Sequence, residues 1–233
     1  MKPILSVVTG TLNREQHIAN LIQQIRVMAQ PLKFEMIVVD GGSEDGTLRW
    51  LRLQKDVILI EQGAALGATQ AFDGGFGRAR GKYVCNLNDD ATIIGDIFGA
   101  AVKQLEDDPS IGQVVIPFRD PQEPRAKYDV VGVGSPSHIT IYGNFAVTRH
   151  WLGNKLGWWR PDLYHYYGGD SHLSVSILDA GYRVVRLSGD GSVEHLRIED
   201  KTRHSENTDS RKFYSHWVNW GGPPSSPKIF EDE

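Results

Sequence analysis

Short apolar segments alternate with helical patterns in the first part of the chain, and this alternation constrains the fold more than any other feature. Between these segments, apolar residues recur at helical spacing, as Ile18, Leu21 and Ile25 do. Strands that alternate with helices pair in parallel through right-handed crossovers. We therefore predict an α/β fold with a Rossmann-like, mixed but mostly parallel central sheet and helices on both faces. The predicted strands are residues 4–9, 34–39, 57–60 and 82–87.

The rest of the chain has a looser pattern of strands, helices and loops. No internal repeat or linker is visible, so residues 1–220 are interpreted as a single domain and the Pro- and Ser-rich residues 221–233 as a flexible tail. The predicted elements are a helix from about residue 93 or 94 to 105, a strand at 114–117, strands or a hairpin within 130–147, a helix ending at Gly181, and closing strands at 182–187 and 192–196.

Composition narrows the class of protein. The formal net charge of -4, with both signs interspersed, gives no basic patch for nucleic acid. The single cysteine, Cys85, lies in an apolar strand and is interpreted as a small buried hydrophobic residue. No leader peptide and no apolar run near the ~20 residues of a membrane span is visible. We predict a cytoplasmic protein without a transmembrane segment; peripheral attachment to a membrane stays open.

Polar turns follow three of the predicted parallel strands, at residues 9–11, 40–43 and 88–90. Ligands of such sheets bind beyond the carboxyl ends of the strands, where these turns would meet. In the third turn, Asp89 and Asp90 are adjacent, and each carboxylate raises the pKa of the other unless a positive group lies nearby. A divalent cation with oxygen ligands is one such group. The alternative is a simple turn in which Asp90 caps a helix beginning near Ile93.

The first of these turns argues against two common nucleotide sites. A dinucleotide-binding fingerprint needs Gly-x-Gly-x-x-Gly directly after the first strand. Here the turn reads Thr9-Gly10-Thr11-Leu12-Asn13-Arg14, with a single glycine, and no P-loop sequence is present. NAD binding and P-loop chemistry are therefore not predicted.

The ordered motifs resemble those of glycosyltransferase family 2. In the first half they are Ser6-Val7-Val8-Thr9 with Thr11, Asn13 and Arg14, then residues 37–47 with Asp40-Gly41-Gly42-Ser43, then residues 67–71 and 79–84. Asn88-Asp89-Asp90 stands in the place of the family's metal-binding DxD motif, with Asn88 replacing the first aspartate. Residues 168–173 resemble the acidic segment that supplies the family's catalytic base.

The resemblance implies a GT-A fold with a smaller acceptor-side lobe, residues 1–92 forming the nucleotide-sugar-binding half and 93–204 the acceptor-binding half. It implies inverting transfer of a sugar from a nucleotide-diphosphate donor to a saccharide, glycan or lipid-linked acceptor, assisted by Mn²⁺ or Mg²⁺. Asp90 and His195 would hold the metal, although a lone His at a strand end is also common as a structural group. The implied donor-binding residues are Thr9, Thr11, Arg14, Asp40, Gly67, Asn88 and Asp89.

For the acceptor side, the resemblance implies that Asp170 is the general base, while its alternative is a helix cap. Aromatic rings stack on sugar faces, so Trp158 or Trp159 is predicted to contact the acceptor; the alternative is that both belong to the core. Asp40 likewise has an alternative as the cap of the turn that follows it. The charged residues 197–204 are interpreted as a lid over the pyrophosphate or as a solvated loop.

Two other functions compete with the transferase. A nucleotidyltransferase also uses an α/β sheet and acidic metal ligands, but it would need a basic Gly-rich loop after the first strand, where only Arg14 is basic. A non-catalytic carbohydrate- or nucleotide-binding relative is the third hypothesis, and Asn88 and Gly169 are the departures from the family pattern that favour it.

Overall fold

The computed structural model describes residues 2–121, 130–134, 136–196, 198 and 206–228, with the backbone alone for 206 and 207. The helices in this part are α1 (Glu15–Met28), α2 (Thr47–Leu51), α3 (Ala68–Arg78), α4 (Phe98–Asp107), α5 (His150–Leu156), α6 (Gly169–Asp179) and α7 (Glu206–Trp217). The strands are β1 (Leu5–Thr11), β2 (Phe34–Asp40), β3 (Val57–Glu61), β4 (Tyr83–Asn86), β5 (Ala91–Ile94), β6 (Ile111–Val115), β7 (Phe118–Arg119), β8 (Val130–Val133), β9 (His138–Ile141), β10 (Ala146–Arg149), β11 (Arg183–Arg186) and β12 (Ser192–His195).

A seven-stranded sheet forms the centre of the molecule, in the order β11-β6-β10-β4-β1-β2-β3. Pairing is parallel except at β10, which is antiparallel to both β4 and β6. This mixed, mostly parallel sheet confirms the predicted fold class. Because β10 comes from the second half of the chain and lies beside β4, the two predicted halves share one sheet.

The helices cover the sheet through the apolar positions that the sequence pattern marked. Ile18, Leu21, Ile22 and Ile25 of α1 are fully or almost fully buried in the main core. On the other face, α3 packs so closely that a Cβ at Gly75 would lie 2.3 Å from Val8 Cγ1. Cys85 is buried in β4, and burial raises the pKa of its thiol, which suits a structural role.

The residues after Asp90 form a strand, so the alternative in which Asp90 caps a helix is wrong. β5 pairs antiparallel with β12, which also pairs with β7, and these strands form a second, three-stranded sheet. Three consecutive β-branched residues, Thr92, Ile93 and Ile94, favour a strand here, and burial alternates along it. The Ile93 N–H donates to Gln24 Oε1 of α1 at 2.7 Å, and α4 begins only at Phe98.

A third cluster of apolar residues joins the β8–β9 hairpin, α6 and α7. Its buried members are Val133, Tyr164, Val175, Phe213, Trp217 and Trp220. Residues 221–228, predicted to be part of a flexible tail, return to the body of the protein, where the Lys228 N–H donates to the Gly181 carbonyl at 2.7 Å. Within the described ranges, no helix has both the length and the apolar character needed to cross a bilayer.

Candidate functional site

The three polar turns meet at the carboxyl edge of the sheet, as the strand pattern predicts. The Gly41 N–H donates to the Thr11 carbonyl at 2.9 Å, which joins the turn after β2 to the turn after β1. The Thr11 hydroxyl donates to Asp89 Oδ2 at 2.8 Å, which joins β1 to the turn after β4. The site is therefore held together by direct hydrogen bonds between residues that are far apart in sequence.

Arg14 lies between the two adjacent carboxylates. Its Nη1 donates to Asp89 Oδ1 at 2.8 Å and lies 3.7 Å from Asp90 Oδ2. Burial raises the pKa of Asp89, and Arg14 and Thr11 offset this only in part. Burial also acts to raise the pKa of Asp90, but the contacts with His195, Arg14 and the Ile198 N–H outweigh it and leave that pKa lowered. Asp90 is thus held as a carboxylate.

Asp90 and His195 form a buried pair with an unused ring nitrogen. Asp90 Oδ1 lies 3.2 Å from His195 Nε2, and Asn88 Nδ2 lies 3.2 Å from the same nitrogen. His195 Nδ1 is buried without a hydrogen-bond partner among the described residues, and the neighbour of the buried Asp90 Oδ1 among them is His195 Nε2. Buried polar atoms are normally paired, so this pair is a place where a ligand would be bound.

The donor set of this pair fits a divalent cation. Mg²⁺ and Mn²⁺ bind through one or two protein groups together with substrate phosphates and water, and imidazole also suits transition metals. Asp89 is a poorer ligand, since both of its oxygens already accept hydrogen bonds from Thr11 and Arg14. Within the part of the chain that the structure describes, no cluster of three or more acidic, His or Cys ligands occurs.

Asp40 makes the contacts of a turn cap. It is fully buried, Oδ1 accepts the N–H groups of Gly42 and Ser43 at 3.0 and 2.9 Å, and Oδ2 accepts the Ser43 hydroxyl at 2.5 Å. Thr9 is also buried, and its hydroxyl lies 3.4 Å from the Gly10 carbonyl. Both residues are therefore buried supports of this edge of the sheet. Any contact between Asp40 and a donor would use a carboxylate that already accepts hydrogen bonds from the turn.

Gly67 precedes α3 and lies against the backbone before Asp170. Its φ is +91°, and a Cβ there would lie 2.4 Å from the His165 carbonyl oxygen, so a glycine is required. At the start of α3, the Thr69 hydroxyl lies within hydrogen-bond distance of the carbonyls of Tyr164 and His165, at 2.6 and 2.8 Å, and the Thr69 N–H donates to the His165 carbonyl at 3.2 Å. Gly67 thus allows α3 to hold the segment that leads into α6.

Asp170 lies in the first turn of α6 and is partly exposed. Its Oδ1 accepts the Ser171 N–H at 2.7 Å, so it makes one helix-terminal contact, while the residue before the helix is Gly168 with a φ of +90°. Desolvation raises the pKa of Asp170, and the Ser171 contacts offset this only in part. A carboxylate with a raised pKa is better matched to accepting a proton near neutral pH.

A buried polar network connects α6 to β4, the strand that ends before Asn88. The Ser174 hydroxyl is within hydrogen-bond distance of the Asp170 carbonyl and of Gln113 Oε1, and it accepts the Gly143 N–H at 2.9 Å. Asn86 Nδ2 in turn donates to the carbonyls of Gly143 and Asn144 at 3.1 and 2.7 Å. The network fixes the base of α6 relative to the turn that carries Asp89 and Asp90. Sequence reasoning missed these residues.

A cavity of about 440 Å³ adjoins the Asp89–Asp90 turn on the side of α1. Most of the residues that line it have polar side chains, so it leaves room for polar or hydrated groups beside the two carboxylates. The lining residues are His17, Asn20, Gln23, Gln24, Asp89, Asp90, Ala91, Thr92 and Leu196.

A comparison with protein families identifies the family to which the chain belongs. A family model described as Glycosyl transferase family 2 matches residues 6–172, which include all three turns and Asp170. The chain belongs to glycosyltransferase family 2. A search of curated proteins gave no match.

Solved glycosyltransferase structures share the fold at low sequence identity. The mannosyltransferase PcManGT from Pyrobaculum calidifontis, in complex with GDP-Man and Mn²⁺, is 24% identical with a TM-score of 0.66, over 90% of this chain and 61% of that one. S. aureus TarS 1–349 is 17% identical with a TM-score of 0.66, over 83% and 60%. GalNAc-T7 with UDP, GalNAc and Mn²⁺ is 16% identical with a TM-score of 0.65, over 83% and 44%. The chain thus spans about three fifths or less of each.

The acceptor role predicted for Trp158 or Trp159 in this family 2 protein is not supported by their packing. Both side chains are buried, with 6% and 5% exposure, in the core cluster between α3 and α6. Trp158 stacks on Phe76 at a centroid distance of 4.3 Å, and Trp159 lies 4.3 Å from Phe72. The alternative of a core role is therefore the one that the structure favours, because neither ring presents a free face to a sugar.

The lid predicted at residues 197–204 lies outside the described residues, except for Ile198. The backbone of Ile198 contacts the site: its N–H donates to Asp90 Oδ2 at 3.1 Å, and its carbonyl accepts Arg14 Nη2 at 3.1 Å. The chain after β12 therefore passes directly beside the candidate metal ligands.

Proposed function

We propose that this family 2 protein moves a sugar from a nucleotide-diphosphate donor to an acceptor hydroxyl, with inversion and with the help of a divalent metal. The observation that carries the proposal is the buried Asp90–His195 pair, with Asp90 Oδ1 and His195 Nε2 3.2 Å apart, at the edge where the three turns meet. Family membership and the nucleotides and Mn²⁺ held by two of the similar structures support it.

The charges of the site suit a diphosphate only when a cation is bound. Asp89 and Asp90 carry two negative charges when ionised, and Arg14 compensates one of them. A divalent cation would turn the remaining negative charge into a positive one, which attracts a diphosphate. We infer that Asp90 and His195 hold the metal. When bound, it supplies Lewis-acid stabilisation of the charge that develops on the leaving diphosphate.

The other donor-binding assignments rest on where the side chains lie. Thr11, Arg14, Asn88 and Asp89 belong to one hydrogen-bonded cluster with the metal ligands, and we propose that they orient the pyrophosphate end of the donor. Thr9 and Asp40 shape the adjoining edge near the nucleobase, and Gly67 permits the approach of α3. The buried carboxylate of Asp40 contributes chiefly by holding the turn.

Asp170 is proposed as the general base that takes the proton from the acceptor hydroxyl. Attack from the side opposite the leaving diphosphate then inverts the anomeric configuration. Desolvation raises the pKa of Asp170 toward the working pH, which improves its match to the acceptor hydroxyl. The proposed acceptor is the one that the resemblance to family 2 implies, a hydroxyl group of a saccharide, glycan or lipid-linked molecule.

The test is a thermal-shift titration with UDP and GDP, with and without Mn²⁺. We expect one nucleotide to raise Tm with Mn²⁺, because ligand binding to the folded state alone stabilises it. Asp90→Asn and His195→Ala should remove the Mn²⁺-dependent part, whereas the surface variant Asp107→Asn should keep it. Mn²⁺-independent shifts would overturn the metal assignment, and no shift with either nucleotide would count against a UDP or GDP donor.

A further inference from the structure

The backbone segment of residues 164–167 leads directly into Gly168, Gly169 and Asp170, and it is held from two sides. On one side, its carbonyl groups are bound by Thr69 of α3, as described above. Gly168, which joins the segment to α6, has a φ of +90°, a conformation that glycine adopts readily. The position of Asp170 therefore depends on how firmly the segment before the glycines is anchored.

On the other side, a single carboxylate oxygen binds the N–H groups of the same segment. Asp209 Oδ2 accepts the N–H groups of His165, Tyr166 and Tyr167 at 3.1, 2.8 and 3.1 Å. The Asp209 side chain is almost fully buried, with 1% exposure. Consecutive N–H groups that converge on one point form an anion-binding concavity, and here the protein supplies the anion itself.

Asp209 belongs to α7, which lies beyond the region matched by the family model. The helix is fixed on the same part of the molecule by further contacts. Trp217 Nε1 donates to His172 Nδ1 at 3.3 Å, and Phe213 packs in the cluster that contains Tyr164. Helix α7 is therefore packed firmly on this part of the protein and holds the carboxylate of Asp209 in place.

We propose that Asp209 is a positioning residue for Asp170. By binding the three N–H groups before the glycine pair, it sets where α6 begins and where the carboxylate of Asp170 points. The proposal rests on the function proposed for Asp170, and it assigns to α7 a role in the transfer reaction.

The test compares Asp209→Asn and Asp209→Ala in the full chain with Asp179→Asn. Asp179 is a matched control, because it accepts Trp220 Nε1 at 3.1 Å and so ties the same C-terminal region to the far end of α6. Hydrogen exchange of peptides covering residues 164–172 should become at least about tenfold faster in both Asp209 variants and stay unchanged in Asp179→Asn. Unchanged exchange in Asp209→Asn and Asp209→Ala would overturn the proposal.

Turnover separates positioning from a general loss of stability. With GDP-mannose or UDP-GlcNAc and Mn²⁺, Asp209→Asn should lower kcat about tenfold or more and leave the affinity for the nucleotide unchanged. In an Asp170→Asn background the same change should cause no further loss, because Asp209 acts through Asp170. Additive losses would overturn the proposal. Full turnover by Asp170→Asn alone would instead overturn the role of Asp170, while the exchange result would still report on the anchor.

Discussion

The adjacent carboxylates of Asp89 and Asp90 have different surroundings, and their roles follow from this difference. Both oxygens of Asp89 accept hydrogen bonds, from Thr11 and Arg14, whereas Asp90 has one oxygen beside the His195 ring, 3.2 Å from Nε2. The repulsion between adjacent like charges predicted a positive partner. The fold provides one in Arg14, so the proposed metal at Asp90 would serve to balance the charge of the donor more than to stabilise the turn.

At Asp170, the raised pKa leads to opposite effects on activity and stability. Asp170→Asn keeps the shape and the acceptor for the Ser171 N–H but removes the proposed base, so transfer should fall by ~10²-fold or more. Because the folded pKa is raised, the parent loses stability as pH rises through that pKa, and the variant does not. The Tm advantage of Asp170→Asn should therefore grow between pH 4 and 8.

Asp45→Asn is the matched control for this pH series. Asp45 accepts the Thr47 N–H at 2.8 Å, and although burial acts to raise its pKa, the contacts with Thr47 outweigh it and leave the pKa lowered. The stability that Asp45 contributes is thus present above the pKa of the unfolded carboxyl and is lost as pH falls below it. Its variant should show the opposite trend, with a Tm deficit that shrinks toward pH 4 and is nearly constant above about pH 5. Equal trends for the two variants would contradict the assignment.

The sequence indicated the positions of some residues of the site but not of others. Strand ends placed Thr11 and Asp90 at one edge, and the motif order placed Asp170 near it. Asp209 had no signal, because its partners are backbone N–H groups 42 to 44 positions away, and backbone groups leave no mark on sequence. The rings of Trp158 and Trp159 would look alike in a core and at a sugar site, so only packing could decide between these roles.

Among the elements, the strands were predicted most accurately, whereas the predicted start of the fourth helix, α4, was wrong. Short runs of β-branched residues gave the positions of β1 to β4 because buried parallel strands need them. Residues 93 and 94 were predicted to begin a helix, yet they belong to β5, which pairs with β12, a strand that lies far along the chain. Such long-range pairing overrides local pattern.

The packing of α3 on the sheet gives a prediction that a pair of neighbouring glycines can test. A Cβ at Gly75 would lie 2.3 Å from Val8 Cγ1 and 3.3 Å from Val39 Cγ2, whereas one at Gly74 would meet no atom within 4 Å. Gly75→Ala should destabilise the protein by about 1–3 kcal/mol through overpacking. Gly74→Ala should stabilise it by about 0.5–1 kcal/mol, because alanine loses less backbone entropy in a helix.

Urea unfolding of the two variants measures these differences directly. Both glycines lie in the same helix, so helix propensity alone would give them the same sign. A stabilised Gly75→Ala protein would contradict the close packing of α3 on β1 and β2, and with it the position of Gly67 and Thr69 at the site.

At the scale of the whole molecule, the part of the chain beyond the family match packs on the elements next to Asp170. The match ends at residue 172, but α7 and residues 218–220 cover α6 and the hairpin through Trp217 and Trp220. The sequence pattern predicted no helix or strand after residue 204 that contributes to the site. Helix α7 has a polar composition, and its buried stripe of aromatic residues becomes apparent only when it is docked.

His172 connects this docking to the stability of the whole chain. Its Nδ1 lies 3.0 Å from the Tyr164 hydroxyl and 3.3 Å from Trp217 Nε1, which is a donor, and His216 of α7 contacts its ring. Burial, with a smaller contribution from His216, lowers the pKa of His172 to about 4. The neutral ring is therefore the form that joins α6 to α7.

The depressed pKa predicts a loss of global stability in acid. The contribution of His172 is fully present above the pKa of the unfolded chain, about 6.5, and it is lost as pH falls toward 4. We expect the parent to lose about 3 kcal/mol more than His172→Asn over this range, since each pKa unit corresponds to about 1.4 kcal/mol. Asparagine keeps an acceptor for Trp217 but cannot be protonated. Urea unfolding between pH 7.5 and 4 measures this difference in the free energy of unfolding, and His17→Asn on α1 is the control. If the free energy of unfolding of the parent and of His172→Asn changed in parallel with pH, α7 would not be held through a neutral His172.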